Sequence, residues 1–437
     1  MIDAQEQDGL GEGGARGGGG LTRLITATGL TNVADGIALL AWAWLASLLT
    51  RDPLLIALPP IALRLPWLLF ALPAGVVTDR TNRLRLILSM DLLRALGFAG
   101  AALAVWLAVP LPAPQATGVS APGLFAVLLA CALVIGTAEV FRDTAAQTIV
   151  PAIVDGPDLE RANARMLSAE LIGNALIGPA LGAVLIAAAV WLPLAANAVL
   201  FALAFGLLRG LRGRFTPLPR AGRYWWAELG EGITFLRGQP FLQILALVTA
   251  VWNLFHQMVV IALILHVQEN LGLGPRAYGL ILAAGAVGGV LGGLVAERLV
   301  HWMGAGRAAQ LSSLSSAIGF ALIAMAPNGV LLALVLLFFE FTSIFWNVVS
   351  LSYRQRVVPD AILGRVNGVY RLLSWGAMTV GLALSGVLVR AAEGVMPREF
   401  ALVTPFALAA IAVLFLTIAV WWTLRRGFDA RIGVAGT

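Results

Sequence analysis

The sequence predicts an all-α integral membrane protein, with twelve transmembrane helices in two six-helix bundles related by a parallel repeat. Three observations carry this prediction. Of 437 residues, 59% are hydrophobic and only 12% are charged, too little polar surface for a water-soluble chain of this size. Apolar runs longer than about 18 residues, enough to cross a bilayer as a helix, recur along the chain. Two charged loops also share one pattern: Gly75-Val76-Val77-Thr78-Asp79-Arg80 and Gly293-Leu294-Val295-Ala296-Glu297-Arg298. Each places an acid four residues after a Gly and an Arg directly after the acid. Each sits between two apolar runs, and a repeated loop inside a membrane chain marks a duplicated bundle, the usual build of secondary transporters.

The elements follow in order. Residues 1–20 read as a disordered tail, Gly-rich from residue 9 onward and of mixed charge, with no cleavable signal peptide. Six spans come next, at about 22–49, 54–78, 84–109, 123–146, 166–187 and 190–208, giving an N-terminal bundle over 21–208. Residues 209–240 are the longest polar stretch between spans. The run Trp225-Trp226-Ala227-Glu228-Leu229-Gly230-Glu231-Gly232-Ile233 predicts a short helix on the membrane surface, or else a helical spacer packed on nothing in particular. Six further spans at about 241–267, 276–300, 308–326, 329–353, 366–390 and 400–424 give a C-terminal bundle over 241–426, and 427–437 form a closing tail. A second internal repeat supports the duplication. Gln147-Thr148-Ile149-Val150-Pro151 is followed by Arg161-Ala162-Asn163 after span 4. Gln355-Arg356-Val357-Val358-Pro359 is followed by Arg365-Val366-Asn367 after span 10. Two repeats in the same order make the duplication parallel.

The net charge is +6, and all 29 basic residues are Arg. Their placement in short loops argues against a nucleic-acid surface and follows the positive-inside rule. Arg51, Arg276, Arg390 and Arg398 fall on one face, while Arg64 and Arg94 fall inside spans. The remainder, including Arg80, Arg83, Arg85, Arg209, Arg212, Arg214, Arg220, Arg223, Arg425 and Arg426, fall on the other face. Both termini and the repeated loops are therefore expected in the cytoplasm, and the chain in a bacterial-type inner membrane. Cys131 is the lone cysteine and cannot form an intrachain disulfide. No metal-ligand cluster, no nucleotide-binding Gly loop followed by Lys and no nucleophile–His arrangement is present. The expectation is a non-enzyme with no metal or cofactor beyond a coupling proton. Its partners would include membrane lipid and not nucleic acid, and it is expected to be a monomer.

Charges inside spans are the most discriminating residues, because a charge at bilayer centre costs about 2.5–3.5 kcal/mol. Counting along the spans places Asp35, Arg64, His256 and Glu340 near mid-depth. Asp35, Glu340 or both are expected to carry a coupling proton, with Arg64 tuning Asp35. The alternative is a permanent Asp35–Arg64 salt bridge that only locks spans 1 and 2. His256 is either a proton relay or a satisfied polar residue in a helix interface. Asp91 with Arg94, and Glu139 with Arg142, are each one turn apart and read as mutual ion pairs buttressing a cytoplasmic gate. Trp42, Trp44, Trp252, Phe255, Phe341, Phe345 and Trp346 are candidates for an aromatic cavity, for lipid contact, or for interfacial anchoring.

These residues resemble the major facilitator superfamily over about 21–426. The loop 75–85 is similar to the family's signature between spans 2 and 3, and the loop 293–307 to its weaker copy between spans 8 and 9. Asn82 stands where the family often has Gly. The finer resemblance is to the macrolide-efflux and enterobactin-exporter branch of drug/proton antiporters. It rests on Asn32-Val33-Ala34-Asp35-Gly36, Arg64-Leu65-Pro66 and Arg161-Ala162-Asn163. Gly178-Pro179-Ala180-Leu181-Gly182 resembles the antiporter motif, with Ala183 where another Gly is frequent. The resemblance implies a gate of Gly75, Asp79, Arg80 and Arg83, with Glu297 and Arg298 as the weaker copy. In it Asp79 meets the start of span 11, a favourable place for a carboxylate. It implies a bent, tightly packed Gly178/Pro179/Gly182 helix between the halves, and a cavity that includes Asn32, Trp252 and Trp346. The function implied is export of an amphipathic molecule, such as a macrolide-like drug or a siderophore, by proton antiport with alternating access. The alternatives are a proton-coupled importer, a flippase for a lipid or lipid precursor, and a non-transporting receptor or scaffold.

Overall fold

In the computed structural model, residues 17–150, 153, 159–211, 215–216 and 225–429 are described. The N-terminal half contains α1 (Gly17–Ser47), α2 (Pro53–Arg80), α3 (Arg83–Ala108), α4 (Pro122–Ile149), α5 (Leu159–Leu171), α6 (Gly178–Ala188) and α7 (Leu192–Arg209). A π-helical stretch, Ile172–Ile177, joins α5 and α6 into one span. After the linker helix α8 (Trp225–Arg237), the C-terminal half contains α9 (Pro240–Leu265), α10 (Pro275–Met303), α11 (Ala305–Met325), α12 (Gly329–Val357), α13 (Asp360–Ala392), α14 (Arg398–Ala401) and α15 (Thr404–Asp429). Twelve segments among the described residues are long and apolar enough to cross a membrane, matching the twelve sequence-predicted spans.

The repeat is visible in the packing. Within the N-terminal half α2 packs on α4, α3 on α4 and α7, and α1 on α6 and α7. A shift of six spans maps these pairs onto α10 with α12, α11 with α12 and α15, and α9 with α13 and α15, all of which are also in contact. The seams between halves obey the same shift: α2 packs on α13, and α10 on α6. Glycines let the helices approach. A Cβ at Gly136 would run into the Leu63 carbonyl across the α2–α4 seam, and one at Gly288 into the Leu337 carbonyl across the equivalent α10–α12 seam.

Helix ends follow from local chemistry. Asp52 caps α2 by accepting from the Leu54 amide at 3.0 Å, and Asn328 caps α12 by accepting from Leu331 at 3.0 Å. Asn82, the departure from the family's Gly, caps α3: its side chain accepts from the Arg85 amide at 3.0 Å. The π-helical stretch runs directly into Gly178-Pro179. Proline has no amide donor and its ring crowds the preceding turn, so the backbone widens there.

Two differences from the sequence reading concern boundaries. Gly17–Gly20, assigned to the first tail, already belong to α1, and α15 runs on to Asp429, past the assigned end of the bundle at 426. Residues 1–16 and 430–437 lie outside the described residues, as do Arg212, Arg214, Arg220 and Arg223 of the linker. The linker helix α8 is neither a free spacer nor only a surface helix. Glu231 pairs with Arg365 of α13, and Leu236 is buried in the C-terminal half. Arg142 and Arg371, counted with the loop arginines, lie well inside candidate spans.

The hydrophobic cores show how the halves are arranged. We call the end carrying both chain termini the terminal face and the opposite end the far face. One large core draws residues from both halves toward the far face, including Trp44 of α1 and Tyr278 of α10, whose rings lie 5.5 Å apart. Toward the terminal face the core divides. One part is built from Leu24, Leu84, Ile149 and Leu208, and the other from Leu245, Val366, Tyr370 and Leu424. The protein is therefore joined at its far face and parted at its terminal face.

Candidate functional site

A cluster of charges is buried inside the N-terminal half. Asp91 is fully buried and Arg94 is 1% exposed, a placement tolerated only when charges are paired. Arg94 of α3 reaches out of its own helix and is shared by two acids. It bonds to Asp35 of α1 and lies 3.4 Å from Glu139 of α4. Its guanidinium also lies 4.1 Å from the ring centroid of Phe201 on α7, a cation–π contact. Arg142 of α4 uses all three nitrogens: 3.3 Å to Asp91, 3.1 Å to Asp143, and 3.0 Å to the hydroxyl of Thr31. The cluster thus sets four carboxylates, Asp35, Asp91, Glu139 and Asp143, against two guanidiniums. Nε and Nη1 of Arg94 and Oδ2 of Asp91 have no hydrogen-bond partner among the described residues. The cluster reaches the seam between halves through Trp67. The Trp67 indole donates to Glu139 at 3.3 Å and meets Trp375 of α13 edge to face, with centroids 3.8 Å apart.

This geometry corrects two expectations. Asp35 is paired with Arg94 and not with Arg64, which has no ion-pair partner among the described residues. Asp91 and Arg94, like Glu139 and Arg142, do not pair within their own helix. They pair crosswise between α1, α3 and α4, in an interior cluster with Asp35. Residues three apart on a helix can pair, but these side chains face neighbouring helices that offer buried partners.

The C-terminal half carries a smaller site. His256 of α9 lies 3.3 Å from Glu340 of α12, which also accepts from Ser343 at 3.2 Å. The His256 ring stacks on Trp252 at 4.6 Å, and the Trp252 indole donates to Ser316 at 3.0 Å. Trp346 is placed elsewhere. It donates to Thr249 at 3.0 Å and is buried in the terminal-face core of the C-terminal half, not in a cavity. Asn32 bonds back to the Thr28 carbonyl at 2.9 Å.

The gate and packing residues fall as follows. The side chain of Asp79 lies outside the described residues, while Gly75 has open space where a Cβ would stand. Arg80, Glu297 and Arg298 are exposed. Arg83 donates to the Thr148 carbonyl at 2.9 Å and so ties the start of α3 to the end of α4 within one half. Gly178 lies backbone to backbone against Gly36 of α1, and Gly182 packs on Ile37. The same helix meets Gly279 of α10 through Ala183. The Gly178/Pro179/Gly182 helix is thus wedged between α1 and the other half.

Among the described residues, the hydrogen bonds and ion pairs that bridge the halves gather at the far face. Arg51 donates to Gln268 at 2.6 Å and lies 3.7 Å from Glu269, and Gln268 donates to Ser47 at 2.8 Å. Arg390 lies 3.6 Å from Asp52, and Arg398 donates to the Arg51 carbonyl at 2.7 Å while held by Glu269 and Glu393. At the terminal side, Gly364 and Gly368 of α13, like Gly75 of α2, look onto open space. Sequence reasoning missed Asp143, Thr31, Trp67, Trp375 and Arg371. An Arg inside a span was the available signal for Arg371, and an acid beside Arg142 for Asp143.

Two repeated bundles, joined at one face and parted by a cleft at the other, with a buried ion-pair cluster reaching the seam between them through Trp67, define a multi-pass membrane transporter. The class narrows by comparison: the family profile of the Major Facilitator Superfamily matches residues 24–382, and the chain belongs to that superfamily. It is 27% identical over 356 residues to proteins described as Enterobactin exporter EntS from Shigella boydii serotype 18 and from Escherichia coli O81, covering 80% of each chain. Among solved structures, the nucleoside transporter NupG overlays with a TM-score of 0.67 at 16% identity, over 92% of this chain and 98% of the other. A bacterial homologue of the iron transporter ferroportin in its inward-facing state overlays with a TM-score of 0.67 at 16% identity, over 91% and 98% of the two chains. The outward-facing state of that homologue gives 0.60 at 15% identity, over 94% and 99%.

Proposed function

We propose that the protein is a proton-driven exporter of an amphipathic small molecule, working by alternating access in a bacterial-type inner membrane. The terminal face, dense in arginine, is the cytoplasmic one, so the structure corresponds to a state open to the cytoplasm. The observation that carries the reading is the shared Arg94. Two partly exposed acids on different helices, Asp35 and Glu139, compete for one buried guanidinium. With all groups ionised, the four carboxylates and two guanidiniums leave two negative charges uncompensated inside the half. A proton taken up by one acid removes part of that cost and frees Arg94 for the other. Because Asp35 is on α1 and Glu139 on α4, a movement of α1 against α4 changes which acid holds Arg94, and thereby couples helix position to proton occupancy. One proton moving through 100 mV supplies about 2.3 kcal/mol. Similarity to the enterobactin exporters supports the export direction and a siderophore-type cargo.

The test uses purified protein in liposomes, oriented with the terminal face outward and holding an interior more acidic than the bath. Enterobactin added to the bath should be taken up while the pH gradient discharges. Asp35→Asn should abolish both without reducing yield or monodispersity. Full transport by Asp35→Asn would refute this role for the cluster. Cargo movement in the same direction as the proton would make the protein an importer.

A further inference from the structure

We propose that the cleft contains an anion-accepting subsite on the seam of α2 and α13, built from Arg64, Trp67, Arg371 and Trp375, for a small aromatic molecule carrying negative charge. The proposal deepens the transport reading and rests on the cleft being the path of the cargo.

The two helices run antiparallel, with Leu54 of α2 against Gly386 of α13 and Leu68 against Gly376. Midway, the indoles of Trp67 and Trp375 meet at 86°. The guanidinium of Arg371 lies 5.8 Å from the Trp375 ring centroid, one turn toward the terminal face. Arg64 stands three residues from Trp67 in the opposite direction, toward the far face. At 1.5 Å of rise per residue the backbone positions of the two arginines lie about 10 Å apart along the helix axes, one on each side of the indole pair.

The face of α13 that carries Arg371 is the open one. Gly364, Gly368, Arg371 and Trp375 follow one another at spacings of four, three and four, and so share a helix face. Gly364 and Gly368 look onto open space, and Arg371 is exposed. On α2, Arg64, Leu68, Ala71 and Gly75 share a face in the same way, and Gly75 is open. Trp67 and Trp375 therefore meet on the seam of α2 and α13, with Arg371 one turn nearer the terminal face and Arg64 about one turn nearer the far face.

Charge singles these two arginines out. Arg94 and Arg142 also lie inside their spans but are matched by carboxylates. Neither Arg64 nor Arg371 has a carboxylate partner or hydrogen-bond acceptor among the described residues. An unmatched guanidinium within a span is costly and faces an interior or a water-filled cavity. Guanidinium binds carboxylate, sulfonate or phenolate oxygens as a fork and stacks on flat rings, and the indoles offer aromatic surface beside it. The chemistry that answers all four side chains is a flat aromatic body with an anionic group. A potential negative inside also favours moving such an anion outward, so this cargo adds its own driving force to that of the proton.

The experiment compares two probes with one ring system and opposite charge, 1-naphthalenesulfonate and 1-naphthyltrimethylammonium. Binding is measured by calorimetry to the full chain in lipid nanodiscs, with empty nanodiscs subtracted. The sulfonate should bind at least about tenfold more tightly than the ammonium. Arg64→Gln and Arg371→Gln should each weaken the sulfonate by about tenfold, and Arg371→Lys, which keeps the charge but loses the fork, should weaken it less. Equal binding of the two probes, or sulfonate binding unchanged in a monodisperse double Gln variant, would overturn the subsite. Proton flux in liposomes is read separately. Sulfonate preference without proton flux supports the subsite and defeats the antiport reading. Flux without sulfonate preference does the reverse.

Discussion

Breaking the far-face closure should shift the protein toward a state open at the far face by a calculable amount. Arg51 is the residue to change, because its side chain crosses between halves. It donates to Gln268 at 2.6 Å and lies 3.7 Å from Glu269. A hydrogen bond from a charged donor is worth about 1.5–3 kcal/mol, while an exposed ion pair contributes about 0–1 kcal/mol. The Arg51 side chain is 30% exposed, so solvent screening brings the combined value to roughly 1–2 kcal/mol. Arg51→Ala should therefore raise the ratio of open to closed far faces about five- to thirtyfold. Ser47 provides the probe position. It is fully buried, and its hydroxyl accepts from Gln268 in the same closure. In a Cys131→Ala background, Ser47→Cys would carry the sole thiol. A membrane-impermeant maleimide applied at the far face would modify it only when that face opens. While the closed state dominates, labelling rate tracks open population, so Arg51→Ala should accelerate labelling by the same factor. A rate within twofold of the parent would show that the bridging groups do not hold the far face shut.

Two further outcomes follow from the packing. Arg94→Met strands Asp35 and Glu139 without their buried partner and should destabilise the protein by about 3–5 kcal/mol. Adding Asp35→Asn should restore part of that loss, since one stranded charge is removed, and both effects are read from apparent unfolding temperatures in detergent. Gly178→Ala pushes a methyl into the Gly36 backbone, whereas a Cβ at Gly100 of α3 meets nothing within 4 Å. The first should cost about 1–3 kcal/mol, and Gly100→Ala should be neutral or stabilising by up to about 1 kcal/mol, compared in the same unfolding assay.

The site was only partly legible in the sequence. Asp35, Asp91, Arg94, Glu139 and Arg142 were each conspicuous, because a charge inside an apolar run is costly enough to be noticed. Their pairing was not legible. Spacing along one helix suggested Asp91 with Arg94, and similar depth suggested Asp35 with Arg64. The chosen partners instead come from α1, α3 and α4, because helix rotation decides which faces meet. Trp346 looked like a cavity residue for the same reason and is in fact core. Arg371 was counted with the loop arginines although the predicted span 366–390 already contained it, and its exposure depends on how α13 is rotated against α2, which one span does not reveal.

What the sequence alone determined is the element list and its symmetry. Length and apolarity demand twelve spans, since a backbone in lipid must satisfy its own hydrogen bonds within each helix, and two repeated loops relate spans 1–6 to spans 7–12. What only the tertiary structure decided is which side chains share a space: Arg94 between Asp35 and Glu139, two unmatched arginines either side of Trp67 and Trp375, and halves closed at the far face but parted at the other. The physical reason is that one span reports its own composition and period. Ion pairing, exposure to the cleft and closure of a face are relations between helices, fixed only when the small residues at their seams set how closely and at what rotation they pack.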